Sequence, residues 1–229
     1  MNNDINLDFP INNLSFGQTS VAILREFYNR GLTPNIFPLQ GQVDLSAQKP
    51  DEKFNQWLGH CISKAQKEAS RKNTAIKLWH IGGSLQSYSN VDSRLITFYE
   101  CNDLQPSEVN ILRNQDKIYV TNRYTQGIFK NFGIRSTFLP LGFDSHNFRV
   151  LEKRPVIEGV ITTLLFAKLE HRKHTLRQLS LWAKRYGNKK EYKLNAAIFN
   201  PFIKPEIQQQ MINHALEGKQ FWNINFLPW

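Results

Sequence analysis

The sequence has few cysteines and no long apolar run, and both features limit the class of protein to which it can belong. Only Cys61 and Cys101 occur among 229 residues, without the spacing of zinc ligands, which favours a reducing, cytoplasmic setting. No apolar stretch approaches the roughly 18–20 residues needed to span a bilayer. Residues 1–8 also lack the basic start and apolar stretch of a signal peptide. We therefore expect a cytoplasmic protein that contacts a membrane at most peripherally, at its inner face.

Several common catalytic motifs are missing as well. No two aspartates stand two positions apart, so there is no Asp-x-Asp metal motif. The Walker A, Gly-x-Ser-x-Gly and His-Glu-x-x-His patterns are also absent. The sequence therefore predicts no bound metal.

What the sequence does contain is a regular alternation of strands and helices. Before a break at 149–159 that includes Pro155, it predicts strands at 4–9, 35–39, 75–81, 94–99, 117–120 and 135–139, and helices at 18–30, 50–72, 106–113 and 122–132. After the break it predicts strands at 160–166, 191–199 and 221–227, a helix at 174–186 and a second helix that ends at about 216. This rhythm indicates a parallel sheet with crossover helices over 1–150 and the start of a second one over 156–229.

Three candidate site residues follow predicted strands of the first region. Gly17 lies in a loop before a helix and would let a ligand approach the backbone closely. His80 and Glu100 come where strands end, at the edge where ligands of parallel sheets bind. A simpler interpretation stays open for each of them. The loop with Gly17 could be a plain turn with Thr19 or Ser20 as helix N-cap, and His80 could be a structural histidine. Glu100 could cap a helix or pair with a lysine.

The second region carries most of the net charge of +10. Between Lys168 and Lys193 there are nine Lys and Arg residues against two acids, Glu170 and Glu191, which gives +7. Lys168 and Lys173 flank a strand-to-helix turn and could hold one phosphate group beside the helix N-terminus, whereas Arg172 between them is expected to point away. Two alternatives are a solvated helix face and a nucleic-acid-binding segment over 168–193 with interleaved Trp182, Tyr186 and Tyr192.

The chain also resembles a known family. Its residues Phe98-Tyr99-Glu100, Gln115 to Tyr124, Phe129 to Ile134 and Leu139-Pro140-Leu141-Gly142-Phe143-Asp144 with Phe148 look like the end of the first domain of GT-B glycosyltransferases of group 1, or family 4. Phe166 to Lys173 resembles the first strand and turn of their second domain, with Ala167 where glycine is usual. Asn12 to Arg30 is similar to the family's opening loop and helix.

The resemblance implies two Rossmann-like domains, an acceptor-side one over 1–150 and part of a nucleotide-sugar-binding one over 156–229. It implies sugar transfer from a nucleotide-diphosphate sugar to a hydroxyl of a carbohydrate, lipid or protein acceptor, without a cofactor and with no obligatory nucleic acid. Binding would involve Gly17, Lys168, Arg172 and Lys173, and catalysis would involve Lys168, Lys173, His80 and Glu100. The family's acidic motif, two glutamates separated by seven residues late in the second domain, does not occur in 156–229, so the chain resembles a truncated or shortened member, or a non-catalytic remnant.

Overall fold

The computed structural model describes residues 5–86, 89–150 and 159–228. Contacts within the chain divide it into two compact units, Met1–Val150 and Leu151–Trp229, which we call unit 1 and unit 2. The strands form two separate sheets, one in each unit. Most of the predicted break at 149–159, with Pro155, lies outside the described residues.

Unit 1 is built on a six-stranded sheet. The strands are β1 (Ile5–Ile11), β2 (Asn35–Val43), β3 (Thr74–Leu78), β4 (Ser93–Thr97), β5 (Lys117–Val120) and β6 (Thr137–Phe138). All neighbouring pairs are parallel, and the order across the sheet is β2-β1-β3-β4-β5-β6. The chain therefore changes direction across the sheet between β1 and β3, which is where open parallel sheets usually bind ligands.

Helices cover both faces of this sheet, which confirms the predicted Rossmann-like α/β arrangement. They are α1 (Ser15–Asn29), α2 (Glu52–Glu68), α3 (Pro106–Arg113) and α4 (Arg123–Asn131). Alternate residues of a strand point to opposite faces. On one face Leu7 and Phe9 pack with Leu24 of α1 and Phe54 of α2. The residues on the other face pack with α3 and α4, through Leu95, Ile118, Leu112 and Phe129.

Local signals explain most of the helix boundaries. The side chain of Asp51 accepts a hydrogen bond from Phe54 N and starts α2, and Asn122 does the same for Thr125 N at the start of α4. Gly31, just after α1, has a φ of +66°, a backbone conformation that favours glycine.

The predicted start of α1 is wrong. The helix begins at Ser15, so Thr19 and Ser20 lie inside it and neither is the N-cap. The Asn12 side chain accepts a hydrogen bond from Leu14 N at 3.0 Å. The turn before α1 is therefore formed at residues 12–14, ahead of Thr19 and Ser20. Thr19 instead donates its hydroxyl back to the carbonyl oxygen of Ser15.

Unit 2 has a smaller parallel sheet, in the order β7-β8-β9. Its strands are β7 (Ile161–Lys168), β8 (Tyr192–Phe199) and β9 (Ile224–Phe226), and its helices are α5 (Thr175–Tyr186) and α6 (Pro205–Ala215). Both helices contribute to one core, which contains Leu165, Leu179, Trp182, Ala183, Leu194, Ala196, Ile212 and Leu216. None of the helices in the described ranges of either unit is long and apolar enough to cross a bilayer.

Candidate functional site

Three strands of unit 1 deliver candidate residues to one edge of the sheet. The loop that begins at Asn12 follows β1, Trp79 and His80 follow β3, and Phe98 follows β4. Because these strands are parallel neighbours, their carboxyl ends lie together. This edge includes the point between β1 and β3 at which the strand order reverses.

An aromatic cluster occupies this edge, with Phe16 at its centre. The Phe16 ring lies 4.4 Å from the Phe98 ring and 4.6 Å from the His80 imidazole, measured between centroids. Trp79 lies 5.4 Å from Phe16 and 5.0 Å from His80. His80 is exposed, whereas Phe16 is buried. The predicted site residue His80 is therefore held against the rings of Phe16 and Trp79, and Phe16 stacks in turn on Phe98.

Gly17 is packed against the preceding loop. A Cβ atom built on it would lie 2.2 Å from the carbonyl oxygen of Asn12 and 2.4 Å from Oδ1 of the same residue. Real Cβ atoms do not come so close to other heavy atoms, so the space beside Gly17 is filled by the protein itself. Close packing against Asn12 therefore explains why glycine stands at this position, which the sequence did not reveal.

Glu100 lies near the same edge. It is exposed and follows Phe98 by two residues, beyond the end of β4. Gly17, His80 and Glu100 thus all follow the carboxyl ends of neighbouring parallel strands. Gly17 lies in the first turn of α1 and not in the predicted loop, and His80 contacts the ring of its neighbour Phe16.

In unit 2, the basic turn after β7 is organised around an acid. Glu170 lies between the cations, with Oε1 2.8 Å from Lys168 Nζ and Oε2 3.1 Å from Arg172 Nε. Its hydrogen bond with Lys168 is the main reason that the pKa of this carboxyl lies below its usual range, and the charges of Lys168, Arg172 and Lys173 act in the same direction. Contrary to expectation, Arg172 does not point away from Lys168, because both contact the same carboxylate.

The turn leads directly into a helix N-terminus. A short 3₁₀ turn, His171–Lys173, is followed by His174 with a φ of 51°, and α5 begins at Thr175 without a side-chain cap. Thr175 Oγ1 donates to the carbonyl oxygen of Lys168 at 2.8 Å, which fixes the start of α5 against the end of β7. A helix N-terminus beside several cations is a common arrangement for binding an anion.

Lys168 also contacts an aromatic ring that the sequence analysis missed. Its Nζ lies 4.5 Å from the centroid of Phe202, which follows β8 and is 72% exposed. A cation over an aromatic face is attracted to the ring. Phe202 is 34 residues away in sequence, so no local spacing pointed to this contact.

The nucleic-acid interpretation depended partly on accessible aromatic side chains. Trp182 is only 9% exposed and lies in the core with Leu179, as the helical spacing of these two residues predicts. Tyr186 and Tyr192 pack against each other, with ring centroids 4.4 Å apart. These rings therefore do not form an exposed platform on which bases could stack.

A cavity in unit 1 was not predicted. It has a volume of about 760 Å³ and lies between α1 and the segment 139–148, with Ile96 and Thr121 also in its wall. In the sequence, residues 139–148 carried the end of the strand predicted at 135–139 and part of the family resemblance. The available signal was the run of apolar residues in that segment, which no predicted helix or strand would bury.

No metal centre is visible in the ranges that the structure describes, since no three His, Cys, Asp or Glu side chains come together there. The described residues thus offer two separate candidate sites, the aromatic edge with His80 in unit 1 and the cationic turn around Glu170 in unit 2.

Comparison with known proteins does not assign this chain to a family. No protein-family model matches the sequence, and no curated protein matches it. Among solved structures, the chain is similar to one from Streptococcus agalactiae described as "Glycosylation Associate Protein (Gap123) complex", at 13% sequence identity and a TM-score of 0.38. The match covers 76% of this chain but 37% of that chain, so this chain spans little more than a third of its length.

Proposed function

We propose that this chain is a GT-B type glycosyltransferase, or part of one, which transfers a sugar from a nucleotide-diphosphate sugar to an acceptor hydroxyl without a metal. The observation that carries the proposal is the cationic turn of unit 2. Lys168 and Arg172 meet at Glu170, and Lys173 is close enough to act on its charge, at the start of α5. Together with the motif resemblance of Phe166 to Lys173, this supports a site for a diphosphate.

The chemistry needs stabilisation of a leaving group. When the bond between sugar and diphosphate breaks, negative charge builds up on the diphosphate, and fixed cations nearby lower the energy of that transition state. We propose that Lys168, Arg172 and Lys173 supply these cations and that the uncapped amides of α5 add to them. Lys168 is already held by Phe202, so it would lose little freedom when the ligand binds.

The Glu170 side chain has to move before a diphosphate can bind to these cations. Its carboxylate now occupies the position between Lys168 and Arg172, and it would repel an incoming diphosphate. We therefore propose that the diphosphate displaces Glu170 from these two cations. Glu170 then lowers the affinity for the donor instead of contributing to it.

The acceptor is proposed to bind at unit 1. His80 is exposed at the carboxyl edge, and an imidazole there could accept the proton of an attacking hydroxyl. Glu100 near the same edge is the second candidate base. Because the family's acidic motif does not occur in residues 156–229, we expect low turnover from this chain alone, and binding is the more direct test.

The test is calorimetric titration of the intact chain with UDP, GDP and ADP. Alanine variants of Lys168, Arg172 and Lys173 should each weaken binding of the preferred nucleotide by about tenfold or more, because a hydrogen bond to a charged group contributes about 1.5–3 kcal/mol. Glu170→Gln should strengthen binding. Lys189→Ala is the matched control: Lys189 is an exposed lysine of the same basic region, near the amino end of β8, and its loss should have little effect.

Several results would count against the proposal. If no nucleotide binds, the remnant interpretation is favoured. If Lys189→Ala weakens binding as much as the other variants, the effect is one of general charge. If single-stranded nucleic acid binds more tightly than any nucleotide, with a steep dependence on salt, the nucleic-acid alternative is favoured.

A further inference from the structure

The cavity beside α1 suggests a ligand that none of the predicted site residues would bind. One wall is α1 from Gln18 to Asn29, and the other is the segment 139–148. We propose that this cavity binds the alkyl chain of an uncharged amphipathic molecule. The inference rests on the proposed function in one respect only, since it would make the acceptor of that reaction lipid-linked.

The apolar side chains of the second wall are unusually exposed. Leu139 is 42% exposed, Leu141 58%, Phe143 75% and Phe148 63%, and all four line the cavity. Isolated exposed apolar side chains are common, but several together around one concave surface indicate a binding site.

Polar anchors hold this wall in place. Lys49 Nζ donates to the carbonyl oxygen of His146 at 2.6 Å, and the backbone N–H of Lys49 donates to Asn147 Oδ1 at 3.1 Å. Asn147 Nδ2 in turn donates to Asp144 Oδ2 at 2.6 Å and to Gln48 Oε1 at 2.5 Å. The apolar side chains are therefore presented to the cavity by a fixed backbone.

Arg25, Glu26 and Asp144, the charged side chains of the wall, already have partners within the protein. Arg25 pairs with Asp51 at 2.8 Å, and Glu26 pairs with Arg30 at 2.7 Å. The carboxylate of Asp144 accepts the hydrogen bond from Asn147 and two from backbone amides. An anionic ligand would find no unpaired cation among these groups and would be repelled by the Asp144 carboxylate, which favours an occupant without an anionic group.

The dimensions favour an elongated ligand. Gln18 and Asn29 are eleven residues apart on α1, so this wall is about 16 Å long at 1.5 Å per residue. The volume of about 760 Å³ is within the range of small-molecule sites. A cavity that runs along three turns of a helix fits a chain better than a compact ring.

The test uses n-alkyl β-D-glucosides, titrated into the intact chain below their micelle concentrations and without nucleotide. Burial of the alkyl chain should strengthen binding about fourfold per methylene, or roughly fifteenfold from hexyl to octyl glucoside. Methyl glucoside, which lacks the chain, should bind weakly. Ala22→Trp fills the cavity and should abolish the dependence on chain length.

A matched pair of variants keeps the test decisive if Ala22→Trp does not fold. Leu141→Ser should weaken octyl glucoside binding, whereas Val91→Ser, at a side chain that is 65% exposed outside the cavity, should not. Affinity that does not depend on chain length, or equal effects of the two serine variants, would overturn the proposal. Nucleotide binding at unit 2 is measured separately, so failure here leaves the proposed donor site standing.

Discussion

Gly17 offers the sharpest test of whether a candidate residue serves binding or packing. The sequence predicted that its missing side chain lets a ligand approach. In the structure, a Cβ there would lie 2.2 Å, 2.4 Å and 2.6 Å from the O, Oδ1 and N atoms of Asn12. Two of these are backbone atoms, which cannot rotate away as a flexible side chain could. Gly17→Ala should therefore force the loop after β1 to move.

The expected cost follows from two opposing effects. Overpacking in a well-packed region typically costs about 1–3 kcal/mol. Alanine is preferred to glycine within a helix by about 1 kcal/mol, and Gly17 lies within α1. The contacts are with backbone, so we expect the upper part of the overpacking range and a net loss of about 1–2 kcal/mol. For a unit of this size, this corresponds to a fall in the Tm of roughly 2–8 °C.

Gly59→Ala is the control for this prediction. Gly59 lies in the middle of α2, is exposed, and would place its Cβ with nothing within 4 Å. The same chemical change there should raise the free energy of unfolding by about 1 kcal/mol. Denaturant unfolding followed by circular dichroism would measure both variants. If Gly17→Ala is as stable as Gly59→Ala, the packing argument is wrong, and a loss of ligand binding with full stability would support the original interpretation.

Two further predictions concern titratable groups. Cys61 is buried, and burial raises the pKa of its thiol to about 11, whereas Cys101 is exposed; one thiol should therefore react with a disulfide reagent in the native protein and a second only on unfolding, and rapid reaction of both would contradict the structure. The pKa of Asp51 lies below its usual 3.8, chiefly because its carboxylate accepts the backbone N–H of Phe54 and also because of Arg25. Its contribution to stability is thus present above pH 3.8 and lost as pH falls through the lower folded-state value, so Asp51→Asn should destabilise the protein more at pH 7 than at pH 3, and an equal loss at both would refute this.

Much of the fold was predictable because local signals and tertiary structure agree. The strand at 117–120 and the helix at 106–113 have the predicted bounds, and most others differ by one to four residues at each end. Proline at the start of α3, acids near the start of α2 and the glycine after α1 each act within a few residues. Alternating strands and helices then leave few arrangements other than a parallel sheet.

The site was less predictable because its key contacts are distant in sequence. Phe16 meets His80 and Phe98 only after three strands have paired. The cavity requires α1 to lie beside the segment 139–148, more than a hundred residues later. The Gly17 contact is an exception, since Asn12 is only five residues away; what the sequence could not show was that the helix begins at Ser15 and brings the two together.

The basic turn shows how one acid changes the meaning of a cationic motif. The position of Lys168 and Lys173 in the turn predicted that they would converge on one phosphate while Arg172 pointed away. That prediction gave Glu170 no role. Glu170 instead contacts Lys168 and Arg172 with its two oxygens, so the cations are held together by a carboxylate that a diphosphate would have to displace. Affinity at this turn is then a difference between two anions competing for the same cations. Glu170→Gln should therefore strengthen nucleotide binding, with a sign opposite to that of the lysine and arginine variants. The Lys189→Ala control is what separates this site from a merely basic surface, because a general charge effect would be as large at Lys189.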